Sequence, residues 1–286
     1  PDREKDRKGN IIYSPCKKLA FDNNIEVFQP LNIRNEYQEI LDMKPDIIIT
    51  AAYGQIIPSV ILDYPKYGCI NVHGSLLPKL RGGAPIHHAI INGDKEAGVT
   101  IMYMDKKMDA GDIISQRSIL IGDNTTLDDL YSKLSILGRD LLIDTLPSII
   151  AGTNDRIKQD EDKVTFGYNI TKEEEKINFN DTCDNVHNKI RGLSSNPGSF
   201  TIINGKRMKV YLSERTNILS KNEPGVIEDI TKDGIFVNTN DYLIKLKDIK
   251  FEGKKRCLVH EFINGIRKED YIGERFEWKK KRRKIK

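Results

Sequence analysis

The sequence has no apolar run approaching the roughly 20 residues that a membrane helix requires, and its opening Pro1-Asp-Arg-Glu-Lys-Asp-Arg-Lys8 is too charged for a secretory leader. No membrane association is expected, and the cytoplasm is the expected location. Cysteine is scarce. Cys16, Cys69, Cys183 and Cys257 are far apart, with no Cys-x-x-Cys pair, which argues against a zinc knuckle or a disulfide framework and for reduced thiols. An excess of one charge is also missing, since 46 Lys and Arg face 42 Asp and Glu, leaving +4. The cations that matter must therefore be local, and basic residues gather at both ends, from Arg3 to Lys8 and from Lys279 to Lys286. What is present is a polar globular composition, 31% charged and 38% hydrophobic over 286 residues. That length suits a main domain and a smaller one.

The first half alternates helical and strand patterns. Pro15 to Asp22 and Asn35 to Met43 read as helices, Ile25 to Phe28 and Asp46 to Ala52 as strands, and Gly68 to Val72 and Val99 to Met104 extend the series. Apolar strands alternating with helices predict an α/β domain with a mostly parallel sheet covered on both faces. A longer helix is expected from Thr126, where Thr-x-x-Asp129 offers a cap, ending before Pro147 or Gly152. Residues 154–180 read as a linker on the surface, between a first domain at 1–153 and a second at 181–278, with a basic tail at 279–286. The second domain changes to a period of two. Asn204-Gly205 predicts a hairpin between Phe200 and Tyr211, Val226 to Ile230 and Ile235 to Asn238 are joined through Asp233-Gly234, and Tyr242 to Phe251 is a further strand. Short strands with tight turns predict a small β-barrel, for which the oligonucleotide-binding type is one candidate. The hydrophilic start at Pro1 to Asn10 has no strand before it, so the first domain reads as lacking one β-α unit of roughly thirty residues.

Asn71-Val-His-Gly-Ser-Leu-Leu-Pro78 directly follows an apolar strand, and ligands of open α/β sheets bind beyond the carboxyl ends of strands. Asp105-Lys-Lys-Met-Asp-Ala-Gly-Asp112 is the loop after a second strand, so an imidazole at His73 and a carboxylate at Asp109 can come from two strand ends. These residue types suit acyl transfer to an amine. N–H groups of Asn71 and His73 can stabilise the oxyanion, while Asp109 can orient the imidazole and accept the amine's proton, directly or through water. That chemistry needs no metal. His87 and His88 invite a metal reading, but adjacent helix residues point in different directions, so pocket edge or surface is expected. Tyr53 to Pro58 follows a strand end and could line a pocket or belong to the core.

The block Asn71 to Ile86, with Asn92-Gly-Asp, Gly98-Val-Thr-Ile-Met and Met108-Asp-Ala-Gly-Asp112, closely resembles the folate-dependent formyltransferases, and within them those that act on methionyl-tRNA. The resemblance implies a Rossmann-like catalytic domain joined to an oligonucleotide-binding-type barrel. It implies Asn71, His73 and Asp109 as catalytic residues, 10-formyltetrahydrofolate as co-substrate, and Ser75, Leu76, Leu77 and Pro78 as its contacts. The opening loop resembles the one that engages the acceptor end of initiator tRNA, with Arg7 at its key arginine and Lys5 and Lys8 beside it. Lys206, Arg207 and Lys209 in the second domain suit a phosphate backbone followed along an extended path. A monomer is expected. A full second domain disfavours a purine-pathway acceptor, and the basic opening loop disfavours a 4-amino-sugar nucleotide, which remains the alternative. A nucleic-acid-binding fragment without catalysis is the reading from another class.

Overall fold

The computed structural model describes Glu4–Lys5 and residues 11–277. Arg7, Lys8 and the basic tail at 279–286 lie outside them. Contacts divide the chain into two compact units, one of Pro1–His73, Ile101–Ser115 and Asp144–Gln159, the other of Gly74–Thr100, Gln116–Ile143 and Asp160–Lys286.

The first unit opens with β1 (Glu4–Lys5) and β2 (Ile11–Ile12), paired antiparallel. Ser14 then caps α1 (Pro15–Asp22), its hydroxyl accepting from Lys17 N at 3.2 Å with Pro15 pre-set at the first helical position. The strand expected at Ile25 to Phe28 does not form. Asn24 turns left-handed at φ 55, and the Ile25 N–H is spent closing α1 on Ala20 O at 2.8 Å, so no ladder starts there. The helix expected from Asn35 is shorter, α2 (Gln38–Asp42). Next come β3 (Ile48–Ala51), α3 (Ser59–Leu62) and β4 (Cys69–His73). β3 and β4 pair in parallel with Thr50 opposite Asn71, and Ile33, Ile57, Ile61 and Cys69 form a core beside them.

After α4 (Pro85–Ile91) in the second unit, β5 (Glu96–Tyr103) and β6 (Ile113–Leu120) complete a four-stranded sheet in the order β3-β4-β5-β6. α5 (Leu127–Ala151) starts with the expected cap: Thr126 N donates to Asp129 Oδ2 at 3.0 Å and Asp129 N to Thr126 Oγ1 at 3.3 Å. It runs through Pro147, where an end had been one expectation. The buried Thr145 and Ile149 flank the proline, so packing outweighs its missing N–H. The helix stops at Gly152, whose φ of 69 allows Thr153 N to reach Ser148 O at 2.9 Å.

In the second unit, α6 (Cys183–Gly192) is capped by Thr182 and followed by β7 (Ser199–Ile203), β8 (Lys206–Leu219), β9 (Ile227–Thr231), β10 (Gly234–Asn238), β11 (Tyr242–Phe251), β12 (Cys257–Leu258) and α7 (Val259–Phe262). The strands form one antiparallel sheet ordered β7-β8-β11-β10-β9, with β12 also on β11. Asn204 and Gly205 both have positive φ, 50 and 73, as the tight hairpin requires. Register shifts along β8 and β11 curve the sheet around Met208, Val210, Val237, Ile244 and Ile249, with Val186 and Ile190 of α6 filling the same core.

One buried group gives this unit a pH dependence. His187 Nε2 faces the Asp123 carbonyl at 3.2 Å, so it carries the proton, and Nδ1 accepts from Ser213 Oγ at 2.9 Å. Burial, helped by the guanidiniums of Arg191 and Arg215, pushes its pKa down to about 4. The unfolded chain therefore takes up a proton near pH 6.5 that the folded chain refuses until about pH 4. Stability from this group is complete above pH 6.5 and falls as pH drops through that window, by on the order of 3 kcal/mol in all. Urea midpoints at pH 7, 6 and 5 should decline, and His187→Gln should flatten the decline. An unchanged slope in that variant would contradict the assignment.

Candidate active site

The spacing Asn71-Val-His73 places both polar side chains on one face of β4, since strand side chains alternate. Thr50, opposite Asn71 on the parallel neighbour, shares that face. Its single hydroxyl hydrogen lies within reach of Ile70 O at 3.2 Å and Asn71 Oδ1 at 3.1 Å. Donation to Oδ1 leaves both Asn71 amide hydrogens for another acceptor. His73 ends the strand, buried, with Nδ1 3.7 Å from Asp109 Oδ2. That separation exceeds a hydrogen bond by a few tenths of an ångström and brings the carboxylate within ion-pair distance of the ring.

Asp109 reaches this position from the loop between β5 and β6 by adopting φ 50, a left-handed conformation that costs a non-glycine residue and is tolerated best by Asp and Asn. Gly111 is obligatory two residues on, because a Cβ there would overlap the Tyr103 carbonyl oxygen. The result is an amide, an imidazole and a carboxylate converging from two strand ends within one unit. This set can donate hydrogen bonds to a developing oxyanion and accept a proton. Thr50 was missed in the sequence because its partnership with Asn71 depends on strand register 21 residues away.

In the second unit, the Ser75 to Pro78 segment is held by hydrogen bonds to Lys79, Thr100 and Gln116. Ser75 Oγ donates to Lys79 O at 2.6 Å, Thr100 Oγ1 donates to Ser75 O at 2.6 Å, Leu77 N donates to Thr100 Oγ1 at 3.1 Å, and Gln116 Nε2 donates to Leu77 O at 2.9 Å. Ser75 and Leu77 are buried, while Leu76 and Pro78 are half-exposed. The segment is therefore a fixed ledge offering alternate side chains.

Lys5 lies in β1, and Lys206 is exposed at the start of β8. Arg207 is engaged within the protein: its guanidinium stacks 3.7 Å over the Phe200 ring and Nη2 meets Glu175 at 2.8 Å. Lys209 Nζ donates to the Pro197 carbonyl. His88 Nε2 faces Tyr168 O at 2.9 Å, while His87 stands edge-on to Tyr131, so the two rings serve different neighbours. Of the Tyr53 to Pro58 segment, Ile57 enters the core and Ile56 is exposed.

The Formyl transferase family model matches residues 2–146, and the model for the Formyl transferase C-terminal domain matches residues 169–267. A methionyl-tRNA formyltransferase of Geobacillus sp. (strain WCH70) is 47% identical over 268 residues, 93% of this chain and 84% of that protein. One from Malacoplasma penetrans (strain HF-2) is 45% identical over 265 residues, 93% and 83%. Among solved structures, WlaRD, a sugar 3N-formyl transferase solved in the presence of dTDP and 5-N-formyl-THF, is 25% identical with a TM-score of 0.63, covering 84% of this chain and 82% of that one.

Proposed function

Because the chain belongs to the formyl transferase family, we propose that it moves the formyl group of 10-formyltetrahydrofolate to the α-amine of methionyl-initiator-tRNA. Identity of 45–47% to methionyl-tRNA formyltransferases over 93% of the chain is the observation that carries the acceptor. The sugar formyltransferase fold is shared at markedly lower identity.

In this reading the neutral amine attacks the formyl carbon, and the carbonyl oxygen becomes an oxyanion facing Asn71 Nδ2 and the His73 imidazole. Preorganised donors at this point stabilise the transition state more than the ground state. Asp109, beside His73, holds the imidazole and takes the proton the amine loses, directly or through one water. Collapse of the tetrahedral adduct expels the tetrahydrofolate N10 with a proton, leaving the formamide. The set contains an amide, an imidazole and a carboxylate, which fits a formyl carbonyl and an amine. The Ser75 to Pro78 ledge supplies the folate contacts, with Leu76 and Pro78 its half-exposed side chains. Lys5, Arg7, Lys8, Lys206, Arg207 and Lys209 are the cations assigned to the tRNA, Arg207 and Lys209 after exchange of their internal partners.

The test is acceptor competition. With 10-formyltetrahydrofolate, methionyl-initiator-tRNA should be formylated and a 4-amino-sugar nucleotide should not. The reverse outcome would overturn the acceptor and keep the chemistry.

A further inference from the structure

Asp109 is presented by a loop whose own conformation is unfavourable, so something outside the loop must hold it. The segment 154–159 does this. Ile157 and Ile113 exchange backbone hydrogen bonds at 2.8 and 2.9 Å, Arg156 Nε meets Asp112 Oδ2 at 3.1 Å, and its guanidinium lies 4.2 Å over the Tyr103 ring. Tyr103 Oη donates in turn to Asn154 Oδ1 at 3.2 Å. From this anchored strap the Gln159 carboxamide donates to two carbonyls, Asp109 O at 2.7 Å and Gly111 O at 2.9 Å. One side chain thus clamps the loop on both sides of Ala110, at the left-handed residue and at the glycine that admits no Cβ.

We infer that Gln159 is a positioning residue for the reaction: its two N–H donors fix the backbone around Asp109 and so set the carboxylate against His73. The inference rests on the formyl-transfer reading, and it acts only through Asp109. Two carbonyls side by side repel unless a double donor sits between them, and a carboxamide is the shortest neutral side chain that supplies two hydrogens from one nitrogen. Loss of the clamp leaves the strap and the sheet in place but frees the loop to relax from φ 50. A misplacement of about 1 Å at a reacting group costs up to about a hundredfold in rate.

The experiment is a double-mutant cycle on the full chain with 10-formyltetrahydrofolate and methionyl-tRNA. Gln159→Ala should lower kcat by about ten- to a hundredfold with KM for both substrates within about threefold. In an Asp109→Asn background the same change should cost less than about twofold, because the route it acts through is already gone. Gln159→Glu, which keeps the length and sets a carboxylate against two carbonyls, should be as poor as Gln159→Ala. Activity of Gln159→Ala within twofold of wild type, or an equal loss in the Asp109→Asn background, would overturn the assignment. If the wild-type chain transfers no formyl group, the parent reading fails separately. The clamp is then read by nitrogen NMR of His73: Gln159→Ala should change which ring nitrogen carries the proton as Asp109→Asn does. Wild-type-like signals in a folded Gln159→Ala would reject it.

Discussion

His73→Ala is expected to lower kcat for formyl transfer to methionyl-tRNA by about a thousandfold, with KM for either substrate nearly unchanged. The magnitude is that of losing one preorganised oxyanion donor, about a hundred- to a thousandfold; the coupling to Asp109 runs through the same imidazole, so it sets the upper end rather than multiplying the loss. A thousandfold is about 4 kcal/mol of transition-state stabilisation. The interaction exists only as charge develops, so kcat and kcat/KM fall in parallel. Folding should be little affected. His73 ends its strand, and the core beside it is built from Ile33, Ile57, Ile61 and Cys69. A His73→Ala protein with unaltered kcat would remove the imidazole from the mechanism.

Asn71→Ala is expected to cost about a hundred- to a thousandfold in kcat, the usual effect of deleting one preorganised oxyanion donor. Asn71→Asp is the sharper variant. It has the same shape and can still accept from Thr50 Oγ1, now at 3.1 Å from Asn71 Oδ1, but it presents a second acceptor where a donor is needed. It should be at least as slow as Asn71→Ala despite the smaller structural change. Steady-state rates for both, with thermal melts to show that each folds, check this. An active Asn71→Asp would mean that the amide N–H is not a donor in the reaction.

Local chemistry made much of this legible in the sequence. Asn-x-His on an apolar strand fixes two side chains on one face, Asn204-Gly205 fixes a hairpin, and Thr126 with Asp129 fixes a helix start. Each depends on residues a few positions apart. The loop after β5 is legible as the source of a carboxylate near His73, but it holds Asp105, Asp109 and Asp112, and only the family resemblance singles out Asp109, which lies 3.7 Å from the ring. The misreadings have the opposite character. The Ile25 to Phe28 run has the composition of a strand, yet its first N–H closes the helix before it. Of the two ends expected for the long helix, Gly152 is the one used; Pro147 breaks a helix by propensity, but the helix continues between buried neighbours to Ala151. Thr50 and Gln159 gave no local signal at all, since the hydrogen bonds that matter to them span 21 and 50 residues. Likewise Arg207 reads as a free cation in the sequence, and only its meeting with Glu175 and Phe200 reveals internal partners.

Formyl transfer to methionyl-tRNA by the Asn71, His73 and Asp109 set is the proposed reaction. Its most direct test is to supply 10-formyltetrahydrofolate labelled in the formyl carbon with methionyl-initiator-tRNA, hydrolyse the ester, and identify the labelled product for the wild type and for His73→Ala. Label is expected in N-formylmethionine over many turnovers of the wild type, reduced about a thousandfold in the variant. Label remaining on the folate, or released as formate at the same rate by both proteins, would contradict it.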